Sequence, residues 1–225
     1  MHAPFPILYE DNHLLVVIKP AGLATMGVEK SRESLLEQAK QYLKAKYTKP
    51  GNVYLGIVSR LDAPVSGVLV LARTSKAAAR LTEQFRSRAV DKTYWAAVEG
   101  SVQPAAGKLI DHVRKDERHR RMHIARPSDA DAKEARLRYR TLQSHAQGSL
   151  LEVELETGRK HQIRLQLAHA GHPILGDRKY GSRRPFAHGV ALHARRLEFD
   201  HPVQHNRLEF IAPLPPAWRM LKVQE

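Results

Sequence analysis

The stretch from Ser59 to Ala72, SRLDAPVSGVLVLA, places a basic residue and a carboxylate shortly before a nearly unbroken apolar run. The run, Val68–Ala72, has the length of one strand and no polar face, so it has to be buried. Arg60 and Asp62 therefore stand next to a segment of the core. Charges this close to a buried segment are either paired for structure or placed to do chemistry.

Other strand-like segments occur in pairs as well as between helices. Alternating apolar and charged residues on both sides of the turn Gln147–Ser149 predict an antiparallel hairpin. Ser34 and Glu37 have the spacing of a capping box, which predicts the start of a helix. The pattern predicts an α+β fold with a mixed, mainly antiparallel β-sheet and flanking helices and loops. The predicted strands are His13–Lys19, Tyr54–Val58, Val68–Leu71, Thr93–Val98, Ala135–Thr141 and Leu150–Glu156, and two further helices are predicted over Ser75–Arg88 and about 161–170.

Length and composition bound the class of protein. A chain of 225 residues with 42% hydrophobic residues can form one large or two small domains with a real core. It has no cysteine, which excludes disulfides and thiolate metal sites and suits a reducing compartment. The apolar run at residues 14–18 is too short for a signal peptide or a membrane span. We expect a soluble, cytoplasmic protein.

The charge of the chain is strongly positive and unevenly distributed. The formal net charge is +14, and nine Lys or Arg residues stand against one acid, Asp177, between Gly158 and Arg196. A strong local field of one sign is typical of proteins that bind a polyanion, nucleic acid first and an acidic membrane second. A basic surface that only keeps the protein in solution is the alternative.

A second charged segment, Gly107–Pro127, contains RKDERHRRMHIAR and is interpreted as an insertion between strands. It is the best candidate in the sequence for a mobile basic arm. Contact with RNA and a solvated loop without a partner both remain open for it.

The common catalytic and cofactor motifs are absent from the sequence. It has no phosphate-binding loop, no dinucleotide-binding glycine pattern and no Gly-x-Ser-x-Gly elbow around Ser66. Thirteen histidines include no His-Glu-x-x-His spacing. We therefore expect neither a metal nor another cofactor.

Several motifs that remain occur in one order along the chain. They are YEDNHLLVVIKPAG, RLDAPVSGVLVLART, FRSRAVDKTYWAAVEG, TGRKHQIRLQLAHAGHPILGDRKYGS, ALHARRLEFDHP and FIAPLP. Together they resemble the RluA-type family of RNA pseudouridine synthases, from about Ile7 to Pro216. The resemblance implies the pseudouridine synthase fold. Because the catalytic motifs begin near the first residue of this sequence, we expect a single catalytic domain over residues 1–225, without the separate N-terminal S4-type RNA-binding module that some relatives carry.

The resemblance also implies a reaction and a set of roles. The bond between uracil N1 and the ribose is cleaved, the base rotates, and it is rejoined through C5. Asp62 would be the nucleophile, Tyr94 would pack on the uracil and help to remove the C5 proton, and Arg164 would pair with Asp62. The residue types suit these roles, because a carboxylate can form a covalent intermediate, a guanidinium favours its charged form, and a ring gives an extruded base a stacking surface. An Arg60–Asp62 surface pair, a core tyrosine and an exposed arginine are the structural alternatives.

RNA contacts are expected around this site. By resemblance, Arg60 faces the RNA and can fill the gap left by a flipped nucleotide, whereas a salt bridge with a local acid is the alternative. The basic stretch between Gly158 and Arg196 adds the other candidates for RNA binding, which are Lys160, His161, Arg178, Lys179, Arg183 and Arg184. The target, ribosomal or transfer RNA, is open.

Three positions depart from the family pattern. Ser59 stands where the family usually has histidine, Val65 where threonine is common, and Gln166 where histidine is frequent. Because none of them removes a proposed catalytic group, we expect activity and a possible change of target. Two other classes are considered: a catalytically silent RNA-binding protein or chaperone on the same fold, and a nuclease, for which no convincing pair of histidines exists. A zinc-type deaminase needs cysteine ligands that this chain lacks.

Overall fold

The computed structural model describes residues 3–27, 33–119, 121–145 and 147–221. The chain divides into two compact units. The first comprises Met1–Asp91 and Ala194–Leu214, and the second comprises Lys92–His193 and Pro215–Glu225. That the whole chain acts as a single catalytic domain stays a prediction.

The described residues form strands and helices in the following order. The strands are β1 (Ile7–Glu10), β2 (Leu14–Lys19), β3 (Gly56–Ile57), β4 (Ser66–Ala72), β5 (Asp91–Glu99), β6 (Ala106–Asp116), β7 (Arg121–Ala125), β8 (Lys133–His145), β9 (Gly148–Leu155), β10 (Leu192–Asp200) and β11 (Arg207–Ile211). The helices are α1 (Leu35–Lys46), α2 (Ser75–Ser87) and α3 (Gln162–His169), with short 3-10 turns at Arg178–Tyr180 and Pro216–Leu221.

In the first unit, β4 lies inside the sheet, which runs in the order β1-β2-β4-β10-β11, and β3 also pairs with β4. Every residue of β4 is buried, as its continuous apolar sequence requires. Gly67 in this strand has a φ of +126°, and a Cβ there would overlap the backbone of Ala194 in β10. Only glycine therefore allows β4 and β10 to approach this closely.

Helix α1 begins with a side-chain cap and is fixed to the first unit near its other end. The hydroxyl of Ser34 accepts a hydrogen bond from the backbone N–H of Glu37, which confirms the predicted N-cap. Near the other end, Lys46 contacts the carboxylate of Glu10 at the end of β1 at 2.8 Å. The hydroxyls of Tyr42 and Tyr47 donate to the same carboxylate at 2.9 and 2.7 Å. Glu10 therefore links α1 to the edge of the sheet.

In the second unit, the strands run in the order β5-β9-β8-β6-β7 and pair antiparallel. The hairpin of β8 and β9 confirms the one predicted around Gln147–Ser149. Helix α3 is buried over most of its length, from Gln162 to Leu167. The α+β class with a mainly antiparallel sheet is thus confirmed.

Two segments differ from the prediction. Most of the charged segment 107–127 is not a loop but forms the antiparallel hairpin of β6 and β7, in which Val113 pairs with Ile124. Val113 and Met122 pack with Leu165 of α3 in one apolar cluster, which explains why this part of a charged sequence is ordered as strands. Mobility of this segment stays a prediction. The predicted strand Tyr54–Val58 shortens to β3 because only Gly56 and Ile57 pair with β4, and Tyr54 is 50% exposed.

Candidate active site

Asp62 lies in the loop between β3 and β4 of the first unit and is half-buried. Its backbone carbonyl accepts a hydrogen bond from the N–H of Val65 at 3.0 Å, which closes a turn just before β4. The neighbouring Leu61 is buried, with 7% of its surface exposed. The carboxylate is therefore carried by a loop whose two ends are fixed by the core.

The backbone on both sides of Asp62 is bonded to residues 19–25, which comprise the last residue of β2 and the turn after it. The hydroxyl of Thr25 donates to the carbonyl of Leu61 at 2.8 Å and accepts from the N–H of Leu61 at 3.2 Å. The carbonyl of Ala63 accepts from the N–H of Gly22 at 2.8 Å and from Nζ of Lys19 at 3.2 Å. The residues before and after Asp62 are thus held by the same short segment.

Lys19 is fully buried at the end of β2. Its Nζ also donates to the carbonyls of Pro20 at 2.8 Å and Leu23 at 2.6 Å. Burial lowers the pKa of Lys19 from 10.5 to about 7, and the negative charge of Asp62 acts in the opposite direction. Sequence reasoning did not select Lys19, although it stands in the KPAG part of a motif that carries the resemblance.

Arg60 is exposed on the same loop. It makes no ion pair or hydrogen bond with any residue that the structure describes. Within the described ranges, the local salt bridge considered as an alternative for Arg60 is therefore not formed. Its proposed contact with RNA stays a prediction.

Tyr94 belongs to the second unit and lies on β5, opposite Val153 of β9. It is half-buried, whereas Ala96, Ala97 and Val98 further along the strand are buried. The antiparallel pairing fixes the face of the sheet on which its ring lies, because a shift by one residue would turn the side chain to the opposite face.

Arg164 lies on α3 in the second unit with only 5% of its surface exposed. Its Nε and Nη2 donate to the two carboxylate oxygens of Asp177, at 2.6 and 2.8 Å, in a two-pronged contact. The guanidinium also lies over the ring of Tyr180, at 5.1 Å from its centroid. The alternative of an arginine on an exposed helix face is therefore wrong. The predicted pairing of Arg164 with Asp62 stays a prediction.

Asp177 and Tyr180 were missed by sequence reasoning. Asp177 is 1% exposed, and the signal that could have found it is that it is the one acid among the basic residues between Gly158 and Arg196. The hydroxyl of Tyr180 accepts from the N–H of Met122 in β7 at 3.0 Å and lies 2.7 Å from Nδ1 of His161. These two residues connect α3 to the 3-10 turn and to the hairpin of β6 and β7.

The members of the basic stretch differ in how exposed they are. Arg159 and Arg195 donate to backbone carbonyls, and Arg196 is paired with Glu198 and Glu209. The members that are exposed are Lys160, Arg178, Lys179, Arg183 and Arg184, whereas His161 is half-buried. Five of the six residues selected in this stretch as RNA-binding candidates are therefore exposed, and the role of all six stays a prediction.

The loop that carries Arg183 and Arg184 is held by Glu99 at the end of β5. One carboxylate oxygen of Glu99 accepts from the hydroxyl of Ser182 at 2.7 Å and from the N–H groups of Arg183 and Arg184 at 2.9 and 3.0 Å. Burial alone would raise the pKa of Glu99, but these hydrogen bonds lower it below its ordinary value. The loop backbone is thus fixed while both arginine side chains remain exposed.

Two searches cover only the described parts of the chain. Within these ranges, no three His, Asp or Glu side chains are grouped as ligands of a metal ion would be. No helix in the same ranges is long and apolar enough to cross a membrane.

Comparison with solved structures identifies the fold. The structure matches human RNA pseudouridylate synthase domain containing 4 with a TM-score of 0.81 and 26% identity, over 98% of this chain and 94% of that chain. It matches human RNA pseudouridylate synthase domain containing 1 with a TM-score of 0.74 and 26% identity, over 95% of this chain and 84% of that chain. The predicted pseudouridine synthase fold is confirmed.

Comparison of the sequence identifies the family. The model of the RNA pseudouridylate synthase family matches residues 13–169. Ribosomal large subunit pseudouridine synthase D of Zymomonas mobilis is 35% identical, over 97% of this chain and 72% of that protein. An RNA pseudouridine synthase of Bacillus subtilis, YhcT, described as uncharacterized, is 34% identical over 96% of this chain and 70% of that protein. The chain belongs to the RNA pseudouridylate synthase family and is an isomerase that acts on RNA.

Proposed function

We propose that this protein converts uridine in ribosomal RNA to pseudouridine, with Asp62 as the nucleophile. The observation that carries the proposal is the similarity to a ribosomal large subunit pseudouridine synthase over 97% of the chain. Asp62, Tyr94 and Arg164 all lie within the matched residues 13–169. The cytoplasmic location expected from the sequence is part of the same proposal.

The proposed chemistry divides one exchange of bonds into two steps. The carboxylate of Asp62 forms a covalent intermediate while the bond between uracil N1 and the ribose breaks. The base turns, and C5 bonds to the ribose while the bond between the ribose and Asp62 breaks, which releases the carboxylate. The C5 proton leaves and N1 gains a proton, so that substrate and product are isomers. Tyr94 stacks on the base and helps to remove the C5 proton. Arg164, oriented by its two-pronged contact with Asp177, pairs with the carboxylate of Asp62.

The exposed basic residues of the second unit are proposed to bind the phosphates that flank the target uridine. Guanidinium and ammonium groups neutralise phosphates without reading the base sequence. Arg60, exposed and without an ion pair among the described residues, is proposed to support the flipped state by stacking in place of the extruded nucleotide. Lys160, Arg178, Lys179, Arg183 and Arg184 are exposed enough for phosphate contacts.

The role of Asp62 is tested with Asp62→Asn. This change keeps the size of the side chain and removes its nucleophilic charge, so release of tritium from C5-labelled uridine in RNA should stop while filter binding of the RNA is largely retained. The matched control is Asp131→Asn, because Asp131 is exposed and has a φ of +63°, which asparagine also tolerates. Turnover near the wild-type rate in Asp62→Asn would show that Asp62 is not the nucleophile.

The target is tested by mapping pseudouridine in all ribosomal and transfer RNAs of cells with the gene, without it, and with the Asp62→Asn gene. Loss of one or more ribosomal sites, restored by the wild-type gene alone, is expected. Loss confined to transfer RNA would refute the ribosomal target. An unchanged map would favour the alternative, an RNA-binding protein without catalysis.

A further inference from the structure

We propose that Lys19 and Thr25 are positioning residues that hold Asp62 in its reactive place through the backbone on either side of it. The proposal rests on the proposed function, in which Asp62 is the nucleophile. Neither side chain needs to touch the RNA. Both act on the loop that carries the carboxylate.

Thr25 fixes the backbone of Leu61, the residue before Asp62. Its hydroxyl serves both backbone groups of Leu61, as donor to the carbonyl at 2.8 Å and as acceptor from the N–H at 3.2 Å. Thr25 is 3% exposed and Leu61 is 7% exposed, so water cannot easily replace the hydroxyl. Removing it would leave two buried backbone groups without this partner, and Leu61 would move to satisfy them.

Lys19 fixes the backbone of Ala63, the residue after Asp62. The carbonyl of Ala63 accepts from Nζ of Lys19 at 3.2 Å and from the N–H of Gly22 at 2.8 Å. Lys19 bonds two more carbonyls, those of Pro20 and Leu23. In its charged form Lys19 has three N–H donors, one for each of these three carbonyls. Lys19 therefore fastens the loop after Asp62 to the turn that follows β2.

The segment that holds Asp62 is itself fixed to regular structure. Lys19 ends β2 and pairs there with Gly67 of β4. The carbonyls of Ala24 and Thr25 accept hydrogen bonds from the N–H groups of Leu35 and Leu36, at 2.9 and 3.1 Å, at the start of α1. A reactive group held by a support of this kind keeps its geometry, and a displacement of about 1 Å can lower a rate by roughly a hundredfold.

The experiment compares Thr25→Val, Thr25→Ser and Lys19→Met with Thr74→Val as the control. Valine keeps the shape of threonine and removes the hydroxyl, whereas serine keeps the hydroxyl. The hydroxyl of Thr74 caps α2 by accepting from the N–H of Ala77. Thr74→Val removes this cap, so it destabilises the first unit without changing the loop that carries Asp62. Thermal unfolding, RNA affinity and single-turnover release of C5 tritium are measured for each folded variant.

We expect the rate at saturating RNA to fall roughly tenfold or more in Thr25→Val and Lys19→Met, with RNA affinity within about twofold of wild type. Thr25→Ser should restore most of the rate, and Thr74→Val should lower the melting temperature with the wild-type rate. Should Lys19→Met not fold, the two Thr25 variants carry the test. Equal rates in Thr25→Val and Thr74→Val would overturn the proposal, because both residues would then serve stability only. Asp62→Asn is measured beside them: activity in that variant refutes the proposed function, whereas an inactive Asp62→Asn with a fully active Thr25→Val refutes only the positioning role.

Discussion

Replacing Asp177 with asparagine should lower the free energy of unfolding of the second unit. The loss should be far larger than the loss from breaking an equally short ion pair on the surface. The side chains of Arg164 and Asp177 are 6% and 1% exposed. When one partner of a buried pair loses its charge, the attraction that offsets the desolvation of both groups is lost, and breaking such a pair typically costs about 3–5 kcal/mol. The asparagine oxygen can still accept one of the two hydrogen bonds, so we expect the lower part of this range, about 3 kcal/mol.

The second unit contains a control at the same distance but with a different exposure. Arg140 and Glu152 also lie 2.6 Å apart, but their side chains are 64% and 18% exposed. A pair in contact with water contributes at most about 1 kcal/mol, so Glu152→Gln should cost no more than this. The comparison therefore separates the effect of burial from that of distance.

The assay is equilibrium unfolding in urea, monitored by the fluorescence of tryptophan. Trp95 and Trp218, the two tryptophans of the chain, both belong to the second unit and report on it directly. In thermal unfolding of the same variants, a loss of about 3 kcal/mol would lower the melting temperature by roughly 6–12 °C for a chain of this size. A loss in Asp177→Asn that does not exceed the loss in Glu152→Gln would refute the reasoning from burial.

Two other predictions concern pH and salt. Burial alone would raise the pKa of Glu10, but hydrogen bonds from Lys46 and two tyrosines lower it below its ordinary value of 4.5. The stability that this carboxylate contributes is therefore lost as the pH falls through the lowered value. Glu10→Gln should therefore be less stable than wild type at pH 7, and the difference should shrink below about pH 4.5; a difference that does not vary with pH would contradict this. Replacing Arg183 and Arg184 together by alanine should weaken RNA binding and flatten the log–log salt slope by up to about 1.4, since each phosphate contact on a single strand contributes about 0.7. Arg196→Ala, which removes an arginine already paired with two glutamates, should change the slope less, and an unchanged slope in the double variant would exclude these two arginines from the RNA path.

The sequence predicts the elements whose pattern is local and strong. The apolar run of β4, the capped start of α1 and the hairpin of β8 and β9 are read directly from periodicity and turn residues. The hairpin of β6 and β7 was not predicted, because its charged residues hide the few apolar side chains, such as Val113 and Met122, that pack on α3. Tertiary packing, rather than local preference, decides this segment.

The groups that support the site are harder to predict than those that react. Asp62, Tyr94 and Arg164 stand in motifs whose residue types suggest chemistry. Lys19 acts on backbone carbonyls, which any residue possesses, so its partners leave no signal in the sequence. Asp177 does leave one, because a single acid within a strongly basic stretch has to be held there by a specific cation.

The contacts of Val65 and Gln166 explain why these two departures from the family pattern should leave the chemistry intact. Val65 contributes its backbone N–H to the turn at Asp62, which any residue except proline can supply, and its side chain is buried in the core. Gln166 is fully buried, and its Nε2 donates to the carboxylate of Asp111 in β6 at 2.8 Å and to the carbonyl of Ala135 at 3.2 Å. It therefore joins α3 to β6 and β8. A different residue at position 166 would change how the hairpin of β6 and β7 is anchored. We therefore expect the identity of this residue to affect the choice of RNA target rather than the bond exchange.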